Sequence, residues 1–279
     1  MSFKEDINQH YAGRDFSERI NAAFARAGLN INTITSEDIE KFDEFHIRGK
    51  DATRDLAKLG KIQPGMHLLD IGCGIGGPSR TFAGELGCKV TGIDITEEYC
   101  KLARIFNNIT GLSKKIQVEH ADATQMPFYD GSFDAAVTEH VTMNIGNKEQ
   151  LLKEIFRVLR PGGKYCFYEI FSSDESDIYF PVPWAETPNL SFLQTPESFV
   201  KNIKSNGFLI EVINDLTQLA TQWFKSAADK LTKIVKEGQL TFSLALLMKD
   251  NTIEKADNMI RSLDEGKLKV AMGAAVKPL

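Results

Sequence analysis

The chain has 279 residues, 42% of them hydrophobic and 25% charged, and its 33 Lys and Arg against 38 Asp and Glu leave a net charge of −5. That balance is globular, long enough for one sizeable core or two small domains, and argues against a chain that grips nucleic acid or an anionic membrane through its overall field. Four dispersed cysteines (Cys73, Cys88, Cys100, Cys166), with no C-x-x-C pair and no nearby histidine cluster, argue against a disulfide framework or a metal site. Met1-Ser2-Phe3-Lys4-Glu5-Asp6 carries charges of both signs where a signal peptide would be apolar, and no apolar run reaches the ~20 residues that span a bilayer. The expectation is a cytoplasmic protein with reduced thiols.

In chain order, residues 1–62 contain helical pieces, with Thr35-Ser36-Glu37-Asp38 placed to cap a helix over residues 39–45. This predicts a helical N-terminal cap over residues 1–62 and a main domain over 63–279. From residue 64 to 170, short apolar runs alternate with helix-like stretches, the pattern of repeated βαβ units and a parallel sheet. Strands are predicted at 66–71, 89–95, 116–120, 133–139 and 163–170, and helices at 79–86, 97–110 and 148–159. Pro161-Gly162 reads as a stop before the last of these strands. A proline-marked aromatic loop follows, Tyr179-Phe180-Pro181-Val182-Pro183-Trp184, inside a lid-like stretch over 172–195. Then come a helix (196–205), a strand (208–213), a helical insertion (217–265) and a last strand (268–276) predicted to pair antiparallel with the one before it.

The strongest chemical signal is Leu68-Leu69-Asp70-Ile71-Gly72-Cys73-Gly74-Ile75-Gly76-Gly77-Pro78. An apolar strand runs into a glycine turn, where a ligand can approach without meeting a Cβ, beside a helix N-terminus. About 20 residues on, after the next predicted strand, stands Asp94, placed to take both hydroxyls of a ribose. The spacing G-x-G-x-G-G departs from the G-x-G-x-x-G of dinucleotide sites. Asp70 at the strand end would repel a pyrophosphate but could hold the ammonium of an amino-acid tail.

With those residues in place, the sequence resembles the class I methyltransferases that use S-adenosylmethionine (SAM). It is closest in pattern to the small-molecule branch acting on sarcosine and other amines, sterols, tocopherols, quinones and sugars. Asp70, Gly72, Gly74 and Gly76 match the first motif, Asp94 with Ile95 the ribose position, and Asp122-Ala123 the adenine segment. Phe133-Asp134-Ala135-Ala136-Val137 resembles the fourth strand of the family, and Arg157-Val158-Leu159-Arg160-Pro161-Gly162-Gly163 the helix and turn beyond it. The resemblance covers roughly residues 40–170. It implies a Rossmann-like sheet, mostly parallel with a C-terminal antiparallel strand, helices on both faces and helical additions at both ends. It also implies SAM as cofactor and in-line SN2 transfer of a methyl already activated by its sulfonium.

Glu139-His140 follows the fourth strand, where strand carboxyl ends face the ligand crevice. Glu139 is a candidate cofactor contact, and His140 a general base, a substrate anchor or a wall. In Phe42-Asp43-Glu44-Phe45-His46-Ile47-Arg48-Gly49, the resemblance implies that Phe45, His46 and Gly49 close over the cofactor; an ordinary helix boundary is the alternative. Tyr11, His46, Tyr179 and Trp184 are candidate substrate contacts, the aromatics as a lid or a cation–π site, or simply as packing. Glu139, Glu169 and Trp184 could surround an amine, which favours a nitrogen acceptor over oxygen or carbon. No Asn-Pro-Pro-Tyr-type motif follows the fourth strand, so a small molecule is expected rather than a nucleobase. The alternatives are a SAM-binding sensor or subunit without catalysis, and an NAD-dependent oxidoreductase, for which no Tyr-x-x-x-Lys stands in place. The 217–265 stretch builds a substrate roof, a homodimer contact or both.

Overall fold

A computed structural model of the chain describes residues 33–40, 42–44, 46–174, 178–236 and 251–279, with scattered positions between Ile7 and Asn30. Its strands are β1 (His67–Ile71), β2 (Lys89–Asp94), β3 (Ile116–His120), β4 (Phe133–Glu139), β5 (Leu159–Ser172), β6 (Leu209–Asp215) and β7 (Leu268–Val276). They form one sheet in the order β3-β2-β1-β4-β5-β7-β6. β1 to β5 pair in parallel, whereas β7 runs antiparallel to both β5 and β6. The late antiparallel strand expected from the sequence is therefore present.

The described helices are α1 (Ser36–Glu40), α2 (Lys50–Leu59), α3 (Gly77–Gly84), α4 (Glu97–Ile109), α5 (Lys148–Val158), α6 (Pro196–Ser205), α7 (Thr217–Lys236) and α8 (Thr252–Asp264). The period-two geometry of the central strands sends alternate side chains to two cores. Leu68, Val90, Ala135 and Val137 meet α2, α3 and α8 on one face. Leu69, Ile71, Ile93 and Ala136 meet α5 and α6 on the other. A third cluster joins Phe24, Ile39 and Phe42 from the N-terminal segment to Phe106 of α4. None of the described helices is long and apolar enough to cross a membrane.

Two predicted boundaries are corrected. Thr35 and Asp38 do form a reciprocal cap, with Asp38 N–H donating to Thr35 Oγ1 at 3.2 Å and Thr35 N–H to Asp38 Oδ2 at 3.2 Å. The helix they start nevertheless ends at Glu40, not at residue 45, because the chain must turn there to carry Asp43 across the glycine turn. Pro161-Gly162 does not precede β5 but lies within it. Gly162 (φ 75°) absorbs a register shift between the pairs Phe133–Leu159 and Ala135–Lys164.

Candidate active site

β1 ends in a turn with Gly72, Gly74 and Gly76 all at positive φ (69°, 53° and 85°). These values favour glycine. At Gly72 a Cβ would also sit 2.5 Å from Val141 Cγ2, so the turn and the chain leaving β4 approach closely only without one. Gly76 is the N-cap of α3. The turn is held from the next strand, because Asp94 accepts from Gly74 N–H (2.9 Å) and from Thr96 N–H (2.8 Å) with its two carboxylate oxygens.

A cavity of about 670 Å³ opens at the carboxyl edge of the parallel strands, within the usual range for small-molecule sites. Its wall follows the strand order: Asp122 and Ala123 beyond β3, Asp94 and Ile95 at β2, Gly72 and Gly74 at β1, Glu139 and His140 at β4. Past β4 the wall turns apolar and aromatic, with Met143, Trp184, Phe192, Trp223, Phe224 and Met259. Trp223 and Phe224 belong to α7 and Met259 to α8, so the helical insertion does roof this half. Tyr11 and His46 also line the cavity.

Behind the wall lies a buried charge network. His46 Nε2 stands 3.1 Å from Glu44 Oε2 and 3.3 Å from Glu139 Oε2, and Thr53 Oγ1 reaches both carboxylates at 2.7 and 3.1 Å. Burial alone would lower the His46 pKa, but the Glu139 and Glu44 carboxylates outweigh it and hold it at about 9. Burial pushes Glu139 up to about 8 against the pull of His46. Burial would also raise Glu44, yet hydrogen bonds from His46, Thr81 and Thr53 keep it below the ordinary carboxylate range. Glu44, His46 and Glu139 therefore titrate as one coupled cluster, each proton held against the charge of its neighbours.

His140 sits at φ 56°, a left-handed conformation that costs a non-glycine residue on the order of 1 kcal/mol or more. It is fixed by its N–H donating to Tyr168 O at 2.8 Å, and its ring packs on Tyr168 at 4.6 Å. Burial, with the nearby His46 charge, lowers its pKa well below the ordinary value, and its Nε2 is buried with no partner. The ring presented to the cavity is a neutral imidazole.

Several residues singled out from the sequence stand elsewhere. Asp70 is only 2% exposed, accepts from Ser79 Oγ at 2.5 Å and does not line the cavity. Its pleat face turns it onto α3, where burial raises it to about 6. Gly76 is taken up by the helix start, and Gly49 (φ 49°) by the start of α2, the helix-boundary alternative. Tyr179 does not line the cavity. Its ring lies 3.7 Å beneath the Arg261 guanidinium and 4.3 Å from Lys267 Nζ, so its π-face already has cations. Glu169 is fully buried, accepts from the Val141 and Thr142 N–H groups at 3.1 Å each, and does not line the cavity, so it surrounds no amine. Phe45 lies outside the described residues.

Sequence reasoning missed Asp43, Tyr99, Trp223, Phe224 and Lys255, all in the cavity wall. Asp43 had a signal, being an acid inside a stretch otherwise turned toward the core. Arg80 donates to its Oδ2 at 3.0 and 2.8 Å, while Oδ1 is buried without a partner. Glu139 Oε1 is likewise buried and unpartnered. Two orphaned carboxylate oxygens in one wall suit a cationic ligand, and this is the fit that a sulfonium with an ammonium tail requires.

Asn144 ties the two lips together. It accepts from Tyr11 O–H (2.6 Å) and donates to Trp184 O (2.9 Å) and Leu190 O (3.0 Å). Asn144→Ala should cost about 2–3 kcal/mol in urea unfolding, three net hydrogen bonds' worth. A loss under 0.5 kcal/mol would mean that these bonds do not hold the lips.

A family profile described as a methyltransferase domain matches residues 69–167. Sterol methyltransferase-like 2 of Botryococcus braunii is 43% identical over 119 residues, covering 43% of this chain and 31% of that protein. Methyltransferase phqN of Penicillium fellutanum is 30% identical over 197 residues, covering 68% of this chain and 60% of that protein. This chain thus spans about a third of the sterol methyltransferase-like protein. The solved phosphoethanolamine N-methyltransferase 2 of Haemonchus contortus shares the fold at TM-score 0.76 and 20% identity, covering 100% of this chain and 61% of that one. Residues 69–167 thus match a methyltransferase domain, and the whole chain shares the Rossmann-like fold of the class I methyltransferases.

Proposed function

We propose that the protein transfers a methyl group from SAM to a small, largely apolar acceptor. The observation that carries this reading is the two-ended cavity, with carboxylates along β3-β2-β1-β4 and aromatic, apolar side chains beneath α7 and α8. When bound, SAM supplies a methyl on a sulfonium sulfur, and the C–S electron pair leaves with the sulfur as the acceptor's lone or π pair forms the new bond. Asp122 and Ala123 would hold the adenine and Asp94 with Ile95 the ribose. Gly72 and Gly74 would leave room for the tail. Asp43 Oδ1 and Glu139 Oε1 would face the positive charges, in place of Asp70. The apolar wall excludes water from the transfer. His140 Nε2 would take the proton when the acceptor atom carries one, its neutral imidazole being the competent form.

The nitrogen acceptor expected from the sequence needed Glu139, Glu169 and Trp184 around one cation. With Glu169 behind the 141–142 turn and Glu139 tied to His46, only Trp184 remains as an uncommitted face. The reading therefore moves to an acceptor with a hydrocarbon body, in keeping with the sterol methyltransferase-like relative. The test is incubation with methyl-deuterated SAM and a small-molecule extract, followed by mass spectrometry, with His140→Ala alongside. A labelled product names the acceptor and the methylated atom. His140→Ala should lower kcat about 10²–10⁴-fold for an N–H or O–H acceptor, the usual range for a general base. If SAM binds and no small molecule takes label, the reading fails.

A further inference from the structure

Lys255, on α8, is the only lysine or arginine in the cavity wall among the described residues, and it is 1% exposed. Its Nζ lies 2.6 Å from Glu186 Oε1, and Glu186 Oε2 accepts from Asn251 Nδ2 at 2.8 Å. The Glu186 side chain is 37% exposed, so the pair runs from the cavity wall toward solvent. Beside Lys255 in the wall stand His10, Pro183, Trp184 and Met259. An ammonium placed against such surfaces has given up its hydration, and a surface pair would tether α8 to the 182–190 loop without that desolvation.

The cavity's remaining charges lie at its other end. Asp122, Asp94 and Asp43, with the Glu139–His46 pair, belong to the β3-β2-β1-β4 side, whereas α8 packs over β7, beyond β5. The polar groups between are committed to the protein. Tyr11 O–H and Asn144 hold each other, and Trp184 Nε1–H donates to Ser191 Oγ at 3.0 Å. The field of the cavity thus runs from a carboxylate end to an ammonium end, with an apolar, aromatic middle.

From this arrangement we infer that the acceptor carries an anionic oxygen headgroup, a carboxylate or a phosphate, on an apolar body. Lys255 receives the headgroup and is a specificity-determining residue. The anion is drawn to α8 and repelled from Asp122, Asp94 and Asp43, which orients the opposite end of the acceptor toward His140. A cationic headgroup is disfavoured at the α8 end by the same charge. This assignment rests on the small-molecule methyltransferase reading for its purpose, but its test does not depend on methyl transfer.

Both tryptophans of the chain, Trp184 and Trp223, line the cavity, so intrinsic fluorescence reports its occupancy. Octanoate, octyl phosphate, octanol and octyltrimethylammonium are titrated into the full-length protein, with SAM binding measured in parallel by calorimetry. The expected result is that at least one anion binds ten or more times tighter than octanol, with octyltrimethylammonium weakest. The tighter of octanoate and octyl phosphate names the headgroup. In Lys255→Met the anion preference over octanol should fall below twofold while octanol affinity is kept. Glu186→Gln, which keeps the ammonium and removes its counter-charge, should widen the preference and serves if Lys255→Met does not fold. Equal binding of octanol and the anions, tightest binding of the cation, or a preference that survives Lys255→Met overturns the inference. SAM binding retained in that event leaves the methyltransferase reading standing; SAM binding lost with the anion preference intact does the reverse.

Discussion

Asp94→Ala is expected to weaken SAM binding about a hundredfold by titration calorimetry. The carboxylate accepts the Gly74 and Thr96 N–H groups, which sets the shape of the glycine turn, and under the proposed function it would also receive the ribose hydroxyls of the cofactor. Hydrogen bonds to a charged group contribute about 1.5–3 kcal/mol each, and every 1.4 kcal/mol is tenfold in affinity. Burial raises its pKa against the pull of the two N–H donors. An affinity within threefold of the parent protein would remove Asp94 from the cofactor site.

The stability of the ligand-free protein should fall as pH rises from 6.5 to 8. His46 is held up at about 9 from an ordinary 6.5, so its contribution is fully present below 6.5 and is lost as pH rises through about 9. Glu139 is held up at about 8 from 4.5, so between those values the fold keeps a proton that the unfolded chain has released, and stability again declines with pH. The two groups titrate as a coupled pair, so from 6.5 to 8 the proton they retain between them gives a slope of up to about 1.4 kcal/mol per pH unit. Above 8 the decline should flatten. Buried Lys148, lowered to about 8, is neutral in the fold while the unfolded chain still binds its proton, and this adds stability up to 10.5. Facing the pair are Glu44 from the N-terminal segment, Asp70 from β1 and His140 beyond β4. Of these, Glu44 is ionised and His140 neutral throughout the window. Urea unfolding at half-unit pH steps measures the effect, and Glu139→Gln should remove most of it, because the Glu139 carboxylate is the largest of the groups that raise His46. His46→Leu should cost about 3–5 kcal/mol at pH 7, because it leaves Glu44 and Glu139 buried together without the cation between them. Stability that is flat or rising across the window would mean that the network is not protonated in this way.

These two predictions draw on different levels of the molecule. Asp94 was legible in the sequence because everything that defines it is local: an apolar strand, a glycine turn, a second strand and an acid at its end. The strand pattern was legible for the same reason. A side-chain period of two and turn residues at the boundaries identify β1 to β4 and β7, and the parallel order follows from the crossover helices. The His46 network was not legible. His46 drew attention as a residue near the cofactor, but its charge depends on Glu139, 93 positions further on, and on Thr53 of α2. Only the packing of α2 against α3, β5 and β7 brings these groups to the end of β4.

What the sequence by itself determined is the framework: the sheet, the glycine turn, the acid at the end of β2 and the order in which a nucleoside cofactor would cross the strand ends. The strands, the glycine turn and the acid at the end of β2 are each marked by residues close together in the chain, so local geometry suffices to identify them. Tertiary structure alone decided which acids face the ligand. Asp70 and Glu139 both stand near strand ends, yet Asp70 is turned under α3 onto Ser79 while Glu139 lines the cavity. It also decided the character of the acceptor half. Tyr179 had its ring claimed by Arg261 and Lys267, whereas Trp223, Phe224 and Lys255 read in sequence only as residues of amphipathic helices. They reach the cavity because β7 returns antiparallel between β5 and β6, folding α7 and α8 back over the site. A side chain's direction is set by the partner that buries it, and for these residues the partner lies far away along the chain.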